Sequence, residues 1–150
     1  MSLTIYVLGG PNLNLLGTRE PEIYGHATLD DIRQALEAEA NGDAIVFRQT
    51  NGEGELVDWI QEASASGDAL ILNAAAYTHT SIAIHDALRA CSVPAVEVHL
   101  SNPAAREPFR QTNYVAPAAN ATIAGLGAYG YLLALQAARH LVSEKGQSAP

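Results

Sequence analysis

Lysine and cysteine are almost absent from the sequence. Its eight basic residues are seven arginines and Lys145, and Cys91 is the one cysteine. An enzyme that forms an imine needs a lysine in a desolvated pocket, but Lys145 lies in a polar segment, so imine chemistry is not expected. A single cysteine cannot build a disulfide framework or a cysteine-based metal site. Because the N-terminal segment also lacks the basic region and cleavage site of a signal peptide, we expect a cytoplasmic protein.

Positive charge is scarce as well. Sixteen acidic residues against eight basic ones give a net charge of −8 at pH 7. Since the basic residues form no cluster that would neutralise phosphates, a nucleic-acid partner is not expected. In an acidic chain with so little lysine, we expect some arginines to bind carboxylates or hydroxyls in a planar, bidentate manner. Ordinary surface ion pairs are the alternative for any single arginine.

Long apolar runs are missing too. Residues 111–138 carry no charge, but asparagine, proline and glycine residues interrupt them. No run reaches the 18 consecutive apolar residues that indicate a membrane-spanning helix. We therefore expect this stretch to be buried within protein and predict no membrane partner.

The 150 residues are 48% hydrophobic and only 6% aromatic. This length and apolar content predict a single catalytic domain, 1–150, with a sizeable core. Alanine supplies 27 residues, which favours close helix packing and interfaces made of small side chains. Within the domain we expect a lid loop at about 17–25 and a polar C-terminal tail at 143–150.

Short apolar runs alternate along the chain with stretches of helical periodicity. Five strands are predicted at 3–8, 44–48, 69–72, 93–100 and 122–124. Helices are predicted to begin at Thr28, through a capping box with Asp31, and to span 55–65, 80–91 and 126–144. Strands that alternate with helices and are nearly all apolar indicate a parallel sheet covered on both faces. We therefore predict an α/β fold, a flavodoxin-like three-layer doubly wound sheet of five parallel strands with helices on both faces.

Ligands of doubly wound folds bind beyond the carboxyl ends of the strands, where the strand order reverses. Functional residues should therefore lie within 9–24, 49–54, 73–81 and 99–110. A G-x-G-x-x-G pattern at 125–130 lacks the later strand and acidic residue of a dinucleotide site, so we expect its glycines to allow close helix packing. The histidines and acids have no recognised zinc spacing, and neither a metal nor another cofactor is expected.

Tyr24 and Arg19 lie in the predicted lid loop, which is bounded by Gly17 and Gly25. Ionising an ordinary tyrosine at pH 7 costs about 4 kcal/mol, because the pKa of a phenol lies near 10. A neighbouring guanidinium favours the phenolate, so the pair predicts a tyrosine base. An ordinary exposed loop tyrosine is the alternative.

Glu97 and His99 stand two residues apart on a predicted strand and therefore on the same side of it. A carboxylate there can fix the tautomer of the imidazole and favour its protonated form, as a general acid requires. A buried histidine with a purely structural role is the alternative. Ser101 follows at the end of the strand, where its hydroxyl and the adjacent backbone N–H groups are suited to binding a carboxylate.

Four segments combine into one pattern. They are Gly9-Gly10-Pro11-Asn12-Leu13-Asn14-Leu15-Leu16-Gly17-Thr18-Arg19-Glu20-Pro21 with Tyr24-Gly25, Asn73-Ala74-Ala75-Ala76-Tyr77-Thr78-His79-Thr80-Ser81, Glu97-Val98-His99-Leu100-Ser101-Asn102 with Arg106-Glu107-Pro108-Phe109-Arg110, and Gly125-x-Gly127-x-x-Gly130-Tyr131. The combination resembles the type II 3-dehydroquinate dehydratases of the shikimate pathway over about residues 2–142.

This resemblance implies a lyase of aromatic amino-acid biosynthesis that removes water from 3-dehydroquinate by anti elimination through an enolate, giving 3-dehydroshikimate without metal or imine. Tyr24 would be the base that takes a proton from C2, with Arg19 favouring its phenolate. Asn12 would hold a water against the enolate oxygen. His99 would protonate the departing C1 hydroxyl, with Glu97 orienting it.

The resemblance also implies the residues that bind the substrate. Asn73, Ser101 and the backbone at Leu100 would take its carboxylate, while His79 and Arg110 would hold the ring hydroxyls. Asp86 would reach the site of a neighbouring subunit, because the family assembles as trimers packed into dodecamers. Arg106 is assigned a supporting role only.

Three segments depart from the family pattern. Ala74-Ala75 replaces Pro-Gly, so we expect the backbone there to avoid positive φ. Pro103-Ala104 replaces Ile-His, and Gln111-Thr112-Asn113 replaces a histidine-rich run that ends in serine. We expect these changes to alter peripheral support while leaving every proposed catalytic position filled. A non-catalytic small-ligand binding module on the same scaffold is the alternative function.

Overall fold

The computed structural model describes residues 2–148 of the chain. Five strands form one parallel sheet, and their bounds are β1 Thr4–Gly9, β2 Ala44–Gln49, β3 Ala69–Asn73, β4 Ala95–His99 and β5 Ala121–Ala124. The helices are α1 Pro21–Tyr24, α2 Leu29–Ala38, α3 Glu53–Ser66, α4 Ile82–Arg89 and α5 Tyr129–Ser148. Short 3-10 turns complete several of the loops between them.

The sheet has the strand order β2-β1-β3-β4-β5, and all four pairings are parallel. The order reverses between β1 and β3, because the chain leaves β1 toward one edge and then returns to build the other. In register, Gly9 at the end of β1 lies beside Gln49 and Asn73. The carboxyl ends of β1, β2 and β3 therefore meet at one edge, as the doubly wound prediction requires.

Two apolar layers hold the helices against the sheet. On one face, Ile5 and Val7 of β1 pack with Ile32 of α2 and Leu135 of α5. On the other face, the intervening residues of the strands pack against α3 and α4. The buried residues of this second layer include Tyr6, Leu8, Leu56, Ile60, Leu70, Leu72, Ile84 and Leu88. Because successive strand residues point to opposite faces, both layers are needed to cover strands that carry apolar side chains on both faces.

The helix starts follow their capping residues. The Thr28 hydroxyl accepts from the Asp31 N–H at 3.1 Å, and the Asp31 carboxylate accepts from the Thr28 N–H at 3.0 Å, which confirms the predicted capping box. α4 starts later than its predicted residue 80, because the buried Ser81 hydroxyl acts as its N-cap and accepts from the Ile84 N–H at 2.9 Å.

The last helix differs from its prediction at both ends. It begins at Tyr129 instead of residue 126, because Gly125 and Gly127 have φ of +87° and +59° and form a turn. A Cβ at Gly130 would make only ordinary contacts, so the glycines serve this turn and not the close packing that we expected. The helix continues to Ser148, so most of the predicted polar tail is helical, and residues 149–150 lie outside the described part.

No helix among residues 2–148 combines the length and the apolar character that crossing a membrane requires. The charge-free stretch 111–138 is instead divided among a loop, β5 and the first half of α5. Tyr131 and Leu135 of α5 are almost completely buried against the sheet. Burial in the core therefore accounts for the uncharged inner face of α5, whereas Leu126 and Tyr129 of the same stretch are exposed.

Candidate active site

A cavity opens at the carboxyl edge of the sheet, where the strand order reverses. Its empty space is about 550 Å³ when the open mouth is included. Loops that follow β1, β3 and β4 supply its walls. The residues that line it are Pro11, Asn12, Leu13, Arg19, Tyr24, Asn73, Ala75, Ala76, His79, His99, Leu100, Ser101, Pro103, Arg106 and Arg110.

Tyr24 contacts two guanidinium groups in this cavity. The guanidinium carbon of Arg19 lies 4.9 Å from the centroid of the Tyr24 ring, and that of Arg106 lies 5.1 Å from it. Each guanidinium thus makes a cation–π contact with the ring. The structure therefore confirms the predicted contact with Arg19 and adds a second cation that the sequence interpretation treated as peripheral.

The segment that carries Tyr24 is bounded by two glycines. Gly17 and Gly25 have φ of +92° and +85°, where L side chains are strained. Between them, Pro21 begins the single helical turn α1, because its ring already has the φ of a helix. The predicted lid is thus partly helical, and its closure over a ligand stays a prediction.

Glu97 and His99 form a buried pair on β4. Nε2 of His99 donates to Oε2 of Glu97 at 2.5 Å, and the Glu97 side chain is completely buried. This contact fixes the orientation of the imidazole and leaves Nδ1 as the ring nitrogen that can exchange a proton with a ligand. The predicted pairing is confirmed, whereas the acid role of His99 stays a prediction.

The Glu97 carboxylate has two further donors. Asn113 donates from Nδ2 to Oε2, and Thr122 donates from its hydroxyl to Oε1, both at 2.9 Å. Burial acts to raise the pKa of the Glu97 carboxyl, but the hydrogen bond and charge of His99, with those two donors, hold it below its usual range. Glu97 is therefore a carboxylate at neutral pH although no water reaches it.

Asn73 ends β3 and is almost completely buried at the cavity wall. Its side-chain Oδ1 accepts from the Ala75 N–H at 3.0 Å, and its Nδ2 donates to the Tyr131 hydroxyl at 3.4 Å. Burial raises the pKa of Tyr131 to about 12, so this partner stays a neutral phenol. The two contacts fix the amide of Asn73 and determine which of its atoms a ligand can meet.

Two arginines lie in the loop that follows β4. Arg106 donates from Nη1 to the Ser101 hydroxyl at 3.2 Å, and Arg110 donates from Nε to the Glu107 carboxylate at 3.0 Å. The backbone N–H of Glu107 itself, followed by Arg110, holds the pKa of the Glu107 carboxyl below its usual range. This carboxylate therefore orients Arg110 at the cavity before any ligand binds.

Asn12 and His79 are positioned by neighbouring loops. Asn12 is in the left-handed region with φ of +69°, which asparagine tolerates better than most residues, and its N–H donates to Oδ1 of Asn51 at 3.0 Å. Nδ1 of His79 lies 2.8 Å from the Thr112 carbonyl oxygen. Because a carbonyl only accepts, Nδ1 carries the proton, and Nε2 is the acceptor of the neutral ring.

Of the other predicted site residues, Leu100 lies in the cavity wall and Asp86 lies outside it. Leu100 is buried, and its carbonyl accepts from the Gly127 N–H at 2.9 Å. Asp86 is exposed on α4 and does not line the cavity. Its predicted role at the site of a neighbouring subunit therefore stays a prediction.

This chain is similar to known proteins over most of its length. The profile of the family described as Dehydroquinase class II matches residues 3–139. A 3-dehydroquinate dehydratase from Hyphomonas neptunium is 71% identical over 144 residues, which cover 96% of this chain and 98% of the relative. The chain belongs to the class II dehydroquinases. This confirms the resemblance inferred from the four sequence segments.

Solved structures of class II dehydroquinases have the same fold as this chain. The type II dehydroquinase from Butyrivibrio crossotus has a TM-score of 0.89 at 37% identity, covering 92% of this chain and 98% of that one. The enzyme from Propionibacterium acnes has a TM-score of 0.86 at 45% identity, covering 93% and 98%. The predicted flavodoxin-like doubly wound fold is therefore confirmed.

One expectation about the departures from the class II dehydroquinase pattern is wrong. Ala75 has φ of +53°, although we expected the alanine pair to avoid positive φ. The Ala75 N–H donates to Asn73 Oδ1, and the backbone of Ala74 lies against Gly10. These neighbours impose the left-handed turn that a glycine would adopt without strain, so the geometry of the loop overrides the preference of the residue.

Four residues of this dehydroquinase site were missed or undervalued from the sequence. Arg106 contacts Tyr24, Tyr131 contacts Asn73, and Asn113 and Thr122 contact Glu97. Only Thr122 had a usable signal, because a parallel neighbour of Glu97 on β5 must share its face of the sheet. The others come from loops and from a helix, whose side-chain directions depend on the tertiary structure.

Within residues 2–148, no group of three or more histidine, cysteine or acidic side chains could hold a metal ion.

Proposed function

We propose that this cavity removes water from 3-dehydroquinate by anti elimination through an enolate and releases 3-dehydroshikimate. Membership in the class II dehydroquinases supports the reaction, which makes the chain a lyase of the shikimate pathway. The observation that carries the mechanism is the presence of two chemical units in one cavity. One unit is Tyr24 with its two guanidinium neighbours, and the other is the buried Glu97–His99 pair.

Tyr24 is the proposed base. As a phenolate it takes the proton from C2, and the electron pair of that C–H bond passes toward the neighbouring ketone to form an enolate. Arg19 and Arg106 favour this step because each places positive charge about 5 Å from the ring. Asn12, whose backbone is held by Asn51, is the proposed holder of a water that donates to the enolate oxygen.

His99 is the proposed general acid. When the enolate collapses, the C1–oxygen bond breaks, and the imidazolium gives its proton to the departing hydroxyl so that water leaves. Glu97 fixes the orientation of the ring through its Nε2 contact. After the reaction the phenol holds one proton and His99 has lost one, so transfer between them through solvent restores the starting state.

The polar rim accounts for recognition of the substrate. Asn73, Ser101 and the backbone N–H at Leu100 are the proposed partners of its carboxylate, since all three residues line the cavity at the ends of the neighbouring strands β3 and β4. His79 and Arg110, which are oriented by Thr112 and Glu107, are the proposed partners of the ring hydroxyls. These groups convert binding energy into the orientation that an elimination requires.

Assembly and location complete the proposal. We propose a homododecamer, a tetramer of trimers, in which Asp86 reaches a neighbouring site, and one catalytic domain per chain acting in the cytoplasm. Exposure of Asp86 on α4 and of apolar side chains such as Ile82, which is 59% exposed on the same helix, supports a subunit contact there. Light scattering that gives the mass of a monomer would contradict this assembly.

Neither an imine nor a metal ion has a part in the proposed reaction. The one lysine, Lys145, is on α5, where its Nζ donates to the Ser92 carbonyl at 2.7 Å, and it does not line the cavity. The enolate is stabilised by hydrogen bonds in place of a covalent amine. Activity is therefore expected to survive both borohydride in the presence of substrate and EDTA, and loss to either would contradict this chemistry.

The test is direct turnover of 3-dehydroquinate, followed by the absorbance of the conjugated enone product. Wild-type protein should produce the signal, and Tyr24→Phe should bind the substrate but lose nearly all turnover, because it keeps the ring and removes the proton acceptor. A non-catalytic binding module would show calorimetric binding with no absorbance change. Full activity of Tyr24→Phe would contradict Tyr24 as the base.

A further inference from the structure

The Glu97 carboxylate has an unusually complete set of partners for a buried acid. Oε2 accepts from His99 and from Asn113, and Oε1 accepts from Thr122. A buried carboxylate is costly unless such donors satisfy it. The contribution of Asn113 was not visible in the sequence, where its segment departs from the family pattern.

Asn113 is itself held in one orientation. Its Oδ1 accepts from the backbone N–H groups of Val115 and Ala116, at 2.8 and 2.9 Å. Since N–H groups need an acceptor, the carbonyl end of the amide must face them, and the donor end must face Glu97. The orientation of the amide is therefore set by its hydrogen bonds, with Nδ2 directed at the carboxylate.

The neighbours of Asn113 connect the same segment to other parts of the site. The Thr112 carbonyl accepts from His79, and the Tyr114 N–H donates to the Thr78 carbonyl at 2.8 Å. The Tyr114 carbonyl lies 2.7 Å from Nδ1 of His85 on α4. Residues 112–114 thus join the cavity wall, the Glu97–His99 pair and α4 in three successive positions.

We propose that Asn113 is a positioning residue for the general acid. It orients Glu97 toward His99. It also connects this pair to Arg110, which lies three residues earlier in the chain. The inference rests on the proposed function, because it concerns the acid of that reaction. It assigns a specific task to a residue for which the family pattern provides serine.

The surroundings of Glu97 make this role testable with pH. In register, its neighbours are the uncharged Leu72 on β3 and Thr122 on β5. His99 on its own strand and His85 on α4 are the titratable groups on this side, and Arg106 and Arg110 line the cavity that His99 faces. An aspartate at 113 would place a second carboxylate against Glu97, and two such groups tend to share one proton.

Two substitutions separate positioning from folding. Asn113→Asp keeps an acceptor for the Val115 and Ala116 N–H groups, but it can donate to Glu97 only when protonated. Asn113→Leu has a similar size but removes both the donor to Glu97 and the acceptor of the Val115 and Ala116 N–H groups, so its melting temperature serves as the control for folding. We expect Asn113→Leu to lower kcat about ten- to hundredfold at neutral pH with little change in KM. Asn113→Asp should be comparably impaired at pH 8.5 and recover relative to wild type as the pH falls to 6.

Thr122→Val and Thr122→Ser serve as the matched pair for the other donor. Thr122→Val should lower kcat, and Thr122→Ser should restore it, since only the serine keeps a hydroxyl. The proposal is overturned if Asn113→Leu keeps wild-type kcat, or if the activity of Asn113→Asp relative to wild type is constant between pH 6 and 8.5. The melting temperature of each variant shows whether it loses kcat only because it unfolds.

A measurement without substrate distinguishes failure of this inference from failure of the proposed function. The side-chain ¹⁵N signal of His99 Nε2 reports its proton against Glu97, and it should shift in Asn113→Leu. If wild-type protein does not convert 3-dehydroquinate, the proposed function fails, and an unchanged His99 signal in Asn113→Leu then also overturns the positioning role. A shifted signal in an inactive protein would leave Asn113 as the positioning residue of the pair.

Discussion

The guanidinium carbon of Arg106 lies 5.1 Å from the centroid of the Tyr24 ring, almost as close as the 4.9 Å of Arg19. The two cations differ in exposure, because the Arg106 side chain is 14% exposed and that of Arg19 is 36% exposed. Solvent screens an exposed charge more strongly. Arg106 should therefore contribute at least as much as Arg19 to the proton abstraction proposed for Tyr24.

Arg106→Gln is accordingly expected to lower kcat at pH 7 by about tenfold or more, the factor that corresponds to 1.36 kcal/mol. Steady-state kinetics at pH 7 check this, with Arg33→Gln on the exposed face of α2 as the control. A defect of Arg106→Gln that appears in KM alone, with kcat unchanged, would assign Arg106 to substrate binding instead.

Glu97 should make stability depend on pH in a definite direction. Because its folded-state pKa is lowered from 4.5, its contribution to stability is present above the unfolded value and is lost as the pH falls through the lower folded value. Glu97→Gln should therefore reduce the free energy of unfolding at pH 7 by about 1–3 kcal/mol, and the gap should narrow below about pH 4.5. Urea unfolding at several pH values measures it, with the exposed Glu37→Gln as the control. A gap that is unchanged at low pH would contradict the assignment.

Ala75 should benefit from replacement by glycine. Its φ of +53° costs an L-residue about 1–2 kcal/mol. Glycine removes this cost, but the greater conformational entropy of its unfolded chain offsets part of the increase in stability. Ala75→Gly is therefore expected to raise the free energy of unfolding by up to about 1 kcal/mol. Ala74→Gly, at φ of −74° and fully buried, should lower it. Equal effects of the two substitutions in a denaturant titration would refute the strain at 75.

Gly10 should tolerate no side chain. A Cβ there would lie 2.4 Å from the Ala74 carbonyl oxygen, and backbone cannot move aside as a flexible side chain can. Gly10→Ala is expected to cost about 2 kcal/mol or more, as overpacking does, and to lower activity because both loops line or support the cavity. Gly54→Ala, in an open position of α3, should be neutral or stabilising. A wild-type melting temperature for Gly10→Ala would show that the loops separate easily.

Much of the site was predictable because its chemistry depends on local spacing. Glu97 and His99 lie two residues apart on one strand, so their side chains share one face of the sheet. The distance between Arg19 and Tyr24 is likewise spanned by a short loop. Helix ends were less predictable. The start of α4 depends on the hydrogen bond from the Ile84 N–H to the Ser81 hydroxyl, and α5 starts after the turn that ends with Gly127.

The sequence by itself determined the fold class, the family and the local pairs of this protein, because alternating apolar strands and helices allow few arrangements and the motifs are contiguous. Only the tertiary structure decided that Arg106 joins Arg19 at Tyr24, that Asn113 donates to Glu97, and that Ala75 accepts positive φ. These contacts join residues that are distant in sequence. Their formation depends on where the folded sheet brings loops together, and no local pattern encodes that position.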